Sequence, residues 1–300
     1  MNRLIDKLDT GPDRFGSKNL LKNLGTNTKI ALISAKADIV FKNRMTTSVL
    51  KRFHTLLRKE NLPEGIRMVP NGFFLYGGQV IQAIYERTKE RIDPRIDRAM
   101  SMTPSSDYDG QLLLELVSDD YGDVESGMAS ISKRKDLKKF LERIMKKAVL
   151  PYKRYFNVSV SSKTPISMDV VLSNPKTGFK LVEIHASNAH GPMSKRYLEK
   201  TTCCVTKLRG FGLPVLNVKS LLFDQLVALD SMLTGNDHRV PVRKAKCQQR
   251  FVRMTFLYDL LKKSGKKIPE DVKIMANQIA KRMDNKKYQK YFKQCSVLIH

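Results

Sequence analysis

The chain has 300 residues, 41% of them hydrophobic and 8% aromatic, which is enough to bury one large core or two smaller ones and excludes a disordered chain. Lysine and arginine number 55 against 29 acidic residues, and this net charge of +26, spread along the sequence, favours a nucleic-acid partner over a membrane. No apolar run approaches the roughly 18 residues that span a bilayer, and no signal-peptide core opens the sequence, so we expect a soluble, non-secreted, cytoplasmic protein.

The first quarter of the chain predicts an arm, a helix and then a strand that leads into a second helix. Residues 1–28 are rich in Asn, Gly, Lys and Asp and indicate an N-terminal arm. Apolar residues at helical spacing predict an amphipathic helix over roughly 44–60. The apolar run Gly72–Tyr76 predicts a strand, and residues 79–89 have the composition of a helix.

The middle of the chain predicts most of a sheet. A polar connection over 89–106 leads to a strand at Asp107–Val117, and Lys133–Val149 has the apolar periodicity of a basic amphipathic helix. Three strand-like runs follow, at residues 155–160, 166–172 and 179–185. The sequence Asn174-Pro175-Lys176-Thr177-Gly178 has a turn composition, so the last two runs should form a hairpin.

From residue 195 onward the pattern is mostly helical. It predicts helices over 195–208, 219–233 and 245–263, and two short helices after Pro269. A strand-rich middle followed by a helical end indicates an α+β fold. We therefore predict a catalytic domain over 29–215 and a helical C-terminal domain over 216–300.

Two aspartates separated by one residue are the sharpest local pattern. In Ser106-Asp107-Tyr108-Asp109 the two carboxylates point to the same side of a strand, because side chains alternate with a period of two. Two neighbouring carboxylates repel each other unless a cation lies between them. Hard oxygen ligands of this kind suit magnesium that also contacts phosphates.

Two glycines precede this pair, where the predicted strand Gly72–Tyr76 meets a helix. Gly77 and Gly78 would let the backbone approach a triphosphate, and the N-terminus of the helix offers free N–H groups and a positive dipole. A simple tight turn between strand and helix is the alternative interpretation of the glycine pair.

Gly77-Gly78 before a helix, followed by Ser106-Asp107-Tyr108-Asp109 on the next strand, resembles the polymerase-beta-like nucleotidyltransferase superfamily over roughly residues 70–235. The pattern is most similar to poly(A) polymerase catalytic subunits of large cytoplasmic DNA viruses. The resemblance implies a nucleotidyltransferase-type mixed sheet with flanking helices, followed by a helical C-terminal part. The chain departs from the pattern in the long interval between Gly78 and Asp107, which implies an insertion over 89–102. It also departs at Gln79, where a small hydroxyl residue is typical.

The resemblance also implies the site residues. Asp107 and Asp109 would be catalytic and hold Mg²⁺ or Mn²⁺ together with a third carboxylate from a later strand. Asp169 and Glu183 both fit that third position, and we favour Asp169 as the metal ligand. The implied nucleotide-binding residues lie around the glycine pair and on the helices after the sheet: Gly77, Gly78, Gln79, Ser106, Lys244 and Arg250.

The implied activity is transfer of AMP from ATP to the 3′ end of RNA, with or without a processivity or methyltransferase-type partner. Two alternatives stay open. One is a non-catalytic protein that binds RNA or DNA on the same fold, and the other is a toxin-like transferase that acts on tRNA or protein. The aspartate pair argues against binding alone, because carboxylates in a basic groove repel phosphate.

Overall fold

The computed structural model describes residues 44–103, 107–116, 131–164, 167–189, 205–208, 211–234 and 240–283. The predicted N-terminal arm, residues 1–28, lies outside these ranges. Within them, no helix is both long enough and apolar enough to cross a membrane.

The described residues include seven strands and seven α-helices of eight residues or more, which are named here in chain order. They are α1 (44–59), β1 (Ile66–Tyr76), α2 (Gly77–Thr88), α3 (Pro94–Ser101), β2 (Tyr108–Leu116), α4 (Lys135–Val149), β3 (Asn157–Thr164), β4 (Ser167–Ser173), β5 (Lys180–Asn188), β6 (Val205–Lys207), β7 (Pro214–Leu216), α5 (Val218–Thr234), α6 (Val240–Lys263) and α7 (Glu270–Met283).

All seven strands belong to one sheet with the order β3-β4-β5-β2-β1-β7-β6. The pairs β2/β5 and β1/β7 are parallel, and the other neighbouring pairs are antiparallel. The sheet is therefore mixed, and with its flanking helices it confirms the predicted α+β class. The predicted hairpin is also present, since β4 and β5 are antiparallel on either side of the Asn174–Gly178 turn.

Side chains of the central strands form much of the hydrophobic core. Leu112, Leu113 and Leu114 of β2 are fully buried, as expected for a strand that is covered on both faces. On one face, Phe73 of β1 packs edge-on against Phe53 of α1, with 5.9 Å between ring centroids. Because side chains alternate along a strand, Tyr76 and its register partner Asp109 lie on the opposite face.

The C-terminal helices pack on the first part of the chain. Helices α5 and α6 both contact α2, and α6 also contacts α3. In one of these contacts, Tyr85 of α2 meets Phe256 of α6 with 5.8 Å between ring centroids. The predicted domain boundary at residue 215 falls within β7, where Val215 pairs with Leu75 of β1. The two-domain division stays a prediction.

Two predicted elements differ from the structure. Residues 205–207 are a strand rather than the end of a helix over 195–208, because β-branched Val205 and Thr206 pair with β7; residues 195–204 lie outside the described ranges. The polar connection after residue 89 contains α3, whose N-cap is Asp93 and whose buried side chains are Ile96 and Met100. After Pro269 the described residues form one helix, α7; residues 284–300 lie outside the described ranges, so the two short helices stay a prediction.

Candidate metal centre

Three carboxylates meet on one face of the sheet. Strands β2 and β5 are parallel neighbours, and their register places Asp109 directly beside Glu183. Asp107 precedes Asp109 by two residues and so shares its face. One oxygen atom from each of the three carboxylates lies within 4.8 Å of the others. Among the described residues this is the only group of three acidic, histidine or cysteine side chains so arranged.

Gly77 forms one wall of this group. It has a φ angle of +77° at the start of α2, a left-handed conformation that favours glycine. A Cβ atom at this position would lie 2.3 Å from Oδ2 of Asp109. The carboxylate of Asp109 therefore occupies the space that a side chain at residue 77 would need. This contact explains why a glycine follows the strand here.

The three carboxylates are electrostatically crowded. Burial, and then the negative charge of Asp107, raise the pKa of Asp109 to about 6 from its ordinary value of 3.8. A raised pKa means that the ionised form is disfavoured in the metal-free site. A divalent cation at this position would relieve that cost, because it interacts favourably with each carboxylate.

Lys180, at the start of β5, supplies one positive charge to the group. Its Nζ atom lies 2.9 Å from Oδ2 of Asp107 and also forms an ion pair with Glu183. Burial alone would lower the pKa of Lys180, but its hydrogen bonds to Glu183 and Asp107 raise it above the ordinary value. The ammonium group thus contacts two of the three carboxylates.

Helix α6 brings two arginines close to the acids. Attraction to Arg250 opposes the rise in the pKa of Asp109, and the Arg250 Nη1 atom lies 3.9 Å from Oδ2 of Asp224. Arg253 is almost completely buried, and burial followed by repulsion from Arg250 lowers its pKa to about 10, against the attraction of Asp109 and Asp107. With a pKa of about 10, Arg253 remains charged at neutral pH.

Asp169, the favoured third carboxylate, is not part of the group of three. It lies on β4, the strand beyond β5, and its register partner is His185. The Oδ1 atom of Asp169 is 2.8 Å from Nδ1 of His185, and its side chain is only 5% exposed. Geometry therefore favours Glu183 over Asp169 as the third metal ligand, because the imidazole ring lies on the carboxylate of Asp169.

The other predicted site residues fall in three places. Gly78 and Gln79 are buried in the first turn of α2, beside Gly77. Lys244 lies in α6, where only its backbone is described, and Arg250 lies one to two turns further along. Ser106 lies outside the described residues.

Sequence reasoning missed three residues of this site. His185 had a usable signal, because it follows Glu183 by two residues on a strand and so must share its face. Lys180 and Arg253 had none, since their approach to the carboxylates depends on how the β4–β5 hairpin and α6 pack in three dimensions.

No protein-family model matches the chain, and no curated protein sequence is detectably similar to it. One solved structure aligns with it, described as an antigenic nucleotidyltransferase-like protein from Paracoccidioides brasiliensis. The alignment covers 84% of this chain and 90% of that protein, at 16% sequence identity and a TM-score of 0.35. A likeness at this level assigns neither a family nor an activity.

Proposed function

We propose that the chain is a metal-dependent nucleotidyltransferase that adds nucleotides, AMP from ATP in the first instance, to the 3′ end of RNA. The observation that carries the proposal is the group of Asp107, Asp109 and Glu183 on adjacent strands, with Gly77 at the start of a helix packed against it. In this reaction the 3′-hydroxyl oxygen forms a bond to the α-phosphorus, and the bond from that phosphorus to pyrophosphate breaks.

The donor set fits Mg²⁺ or Mn²⁺. Three carboxylates offer the oxygen ligands that these ions prefer. Burial, and then the charge of Asp107, raise the pKa of Asp109, and a bound cation would offset this cost of ionisation. When bound, a divalent cation would stabilise the charge on the phosphates and lower the pKa of the attacking hydroxyl. Asp107, Asp109 and Glu183 would hold it.

The remaining roles fall to groups around the carboxylates. The first turn of α2 has N–H groups without intrahelical partners, and Gly77 and Gly78 have no side chains that would hold a phosphate away from this backbone. Arg250 adds positive charge near Asp109, from helix α6. The net charge of +26 supports a nucleic acid as the acceptor, because it attracts polyanions over long range.

A primer-extension experiment tests the proposal. A labelled RNA with a free 3′-hydroxyl is incubated with each nucleoside triphosphate separately, in Mg²⁺ or Mn²⁺, using the wild type and the double variant Asp107→Asn/Asp109→Asn. We expect extension with ATP and a loss of at least about 100-fold in the double variant, because metal ligation contributes several kcal/mol to such reactions. Glu142→Gln is the control, since that carboxylate lies on α4, outside the group of three, and forms an ion pair with Lys146 at 2.6 Å.

The results separate the alternatives. Extension with all four nucleotides would keep the transferase and discard the preference for ATP. Labelling of tRNA or of a protein, with no extension of the primer, would favour the toxin-like alternative. If the wild type binds RNA in a salt-sensitive way and transfers no nucleotide to any acceptor, the chain is a nucleic-acid-binding protein and the proposal is wrong.

A further inference from the structure

His185 is held in a fixed orientation beside the three carboxylates. Its Nδ1 atom is 2.8 Å from the buried carboxylate of Asp169, and the two residues are directly opposite each other on β5 and β4. An ionised carboxylate only accepts hydrogen bonds, so Nδ1 must donate. In the neutral ring the lone pair then lies on Nε2, the nitrogen on the other side of the ring.

That second nitrogen faces the carboxylate group. The Nε2 atom of His185 is 3.9 Å from Oε2 of Glu183. A lone pair directed at a carboxylate is unfavourable unless a positive charge lies between them, either a metal ion or a proton on Nε2. Two ligands of one metal ion, each at about 2.1 Å, are separated by roughly 3 to 4 Å, so the 3.9 Å between His185 and Glu183 suits an ion that these two residues share.

The pairing of His185 with Asp169 is also the arrangement that metal-binding histidines use. Such a histidine almost always donates its other ring N–H to a carboxylate or carbonyl, which fixes the ring and makes the ligating nitrogen more basic. A histidine on a plain sheet surface needs no buried aspartate. Asp169, only 5% exposed, is directed at this one ring nitrogen.

We propose that His185, positioned by Asp169, is a nitrogen ligand of the metal held by Asp107, Asp109 and Glu183, and that it makes the site prefer Mn²⁺ to Mg²⁺. The proposal rests on the metal site of the proposed function. The preference follows from the donor type, because imidazole nitrogen suits transition metals whereas Mg²⁺ strongly favours oxygen. Asp169 is a positioning residue here, which gives it a role other than that of a metal ligand.

Electron spin-echo spectroscopy of Mn²⁺ bound to the full-length protein tests the assignment without any measurement of activity. We expect a ¹⁴N coupling in the wild type that disappears in His185→Gln, with Mn²⁺ affinity reduced by more than the about 10- to 100-fold that loss of an outer-shell partner costs. Asp169→Asn should weaken Mn²⁺ binding less, and Mg²⁺ affinity should change little in His185→Gln. The control is His54→Gln, because His54 stacks on Phe73 on the other face of the sheet, 5.2 Å between ring centroids.

Three results would overturn the histidine ligand and leave a metal site. They are Mn²⁺ binding in the wild type without a ¹⁴N coupling, a coupling that survives in His185→Gln, and a Mn²⁺ preference that the variant retains. The first of these results would mean that carboxylates alone bind the metal. The proposed function would then be retained, and the histidine ligand would be wrong. If the wild type binds no Mn²⁺ at all, both the metal site and its histidine ligand are wrong. Thermal unfolding of each variant shows whether the fold is retained.

Discussion

The carboxylate of Asp109 lies against Gly77, so closely that a Cβ atom at residue 77 would be 2.3 Å from its Oδ2 atom. These two residues are far apart in the chain, yet the antiparallel register of β1 and β2, which pairs Tyr76 with Asp109, brings them together. The start of α2 and the group of Asp107, Asp109 and Glu183 are therefore one structural unit. A side chain at residue 77 should therefore displace the carboxylate of Asp109.

Replacing Gly77 by alanine should remove metal binding and destabilise the fold. The substitution adds a clash with Asp109 to the strain of a positive φ angle, which costs about 1 to 2 kcal/mol by itself. Gly178→Ala is a matched control, because Gly178 has a φ angle of +70° in the β4–β5 turn and a Cβ atom there would meet no other atom within 4 Å. Urea unfolding should show a larger loss for Gly77→Ala, and Mn²⁺ titration should show a defect in that variant alone. Equal effects of the two substitutions would contradict the contact.

The metal-free protein should lose stability as the pH rises from about 4 to 6. The pKa of Asp109 is about 6 in the fold and 3.8 ordinarily, so in this window the folded chain keeps a proton that the unfolded chain releases. Asparagine cannot ionise, so Asp109→Asn carries no such penalty. Its free energy of unfolding should exceed that of the wild type by up to about 3 kcal/mol at pH 7.5. Urea unfolding in EDTA at pH 4.5 and 7.5 measures the difference. A variant no more stable than the wild type at pH 7.5 would rule the prediction out.

Glu183→Gln should weaken metal binding more than Asp169→Asn. Glu183 lies with Asp107 and Asp109, whereas Asp169 contacts His185 and acts on the site through it. Loss of a direct ligand removes one negative charge from the groups that hold the ion. Loss of a positioning group costs about 10- to 100-fold in metal affinity. Calorimetric titration with Mn²⁺ compares the two variants. A greater loss in Asp169→Asn would return Asp169 to the position of third ligand.

The sequence predicted the parts of the site that are governed by local rules. Period-two alternation placed Asp107 and Asp109 on one face, and the glycine pair marked the end of β1. These features are encoded within a few residues, so they can be recognised without the tertiary structure. The α+β class followed in the same way from the order of strand-like and helical segments.

The choice between Asp169 and Glu183 needed the sheet order. Both residues lie on strands of one hairpin, and local sequence cannot show which of those strands pairs with β2. The structure pairs β5 with β2, and this brings Glu183 beside Asp109 while Asp169 stays one strand further away. The strand at 205–207 was missed for a related reason, because it depends on pairing with β7.

Replacing Lys180 by methionine should increase the affinity for divalent metal. The Lys180 ammonium group contacts Asp107 at 2.9 Å and forms an ion pair with Glu183, so a metal ion must bind against its positive charge and compete for the same oxygens. Methionine keeps a similar length and removes the charge. We expect Mn²⁺ to bind about tenfold more tightly, a change of about 1.4 kcal/mol, in calorimetric titration at low salt.

Lys176→Met is the matched control for Lys180, because it removes the same charge from an exposed position in the turn between β4 and β5. Its effect on Mn²⁺ affinity should be small, since solvent and salt screen an exposed charge. Equal increases in both variants would mean that net charge alone governs metal binding. Weaker binding in Lys180→Met would show instead that the lysine holds Asp107 and Glu183 in place for the metal.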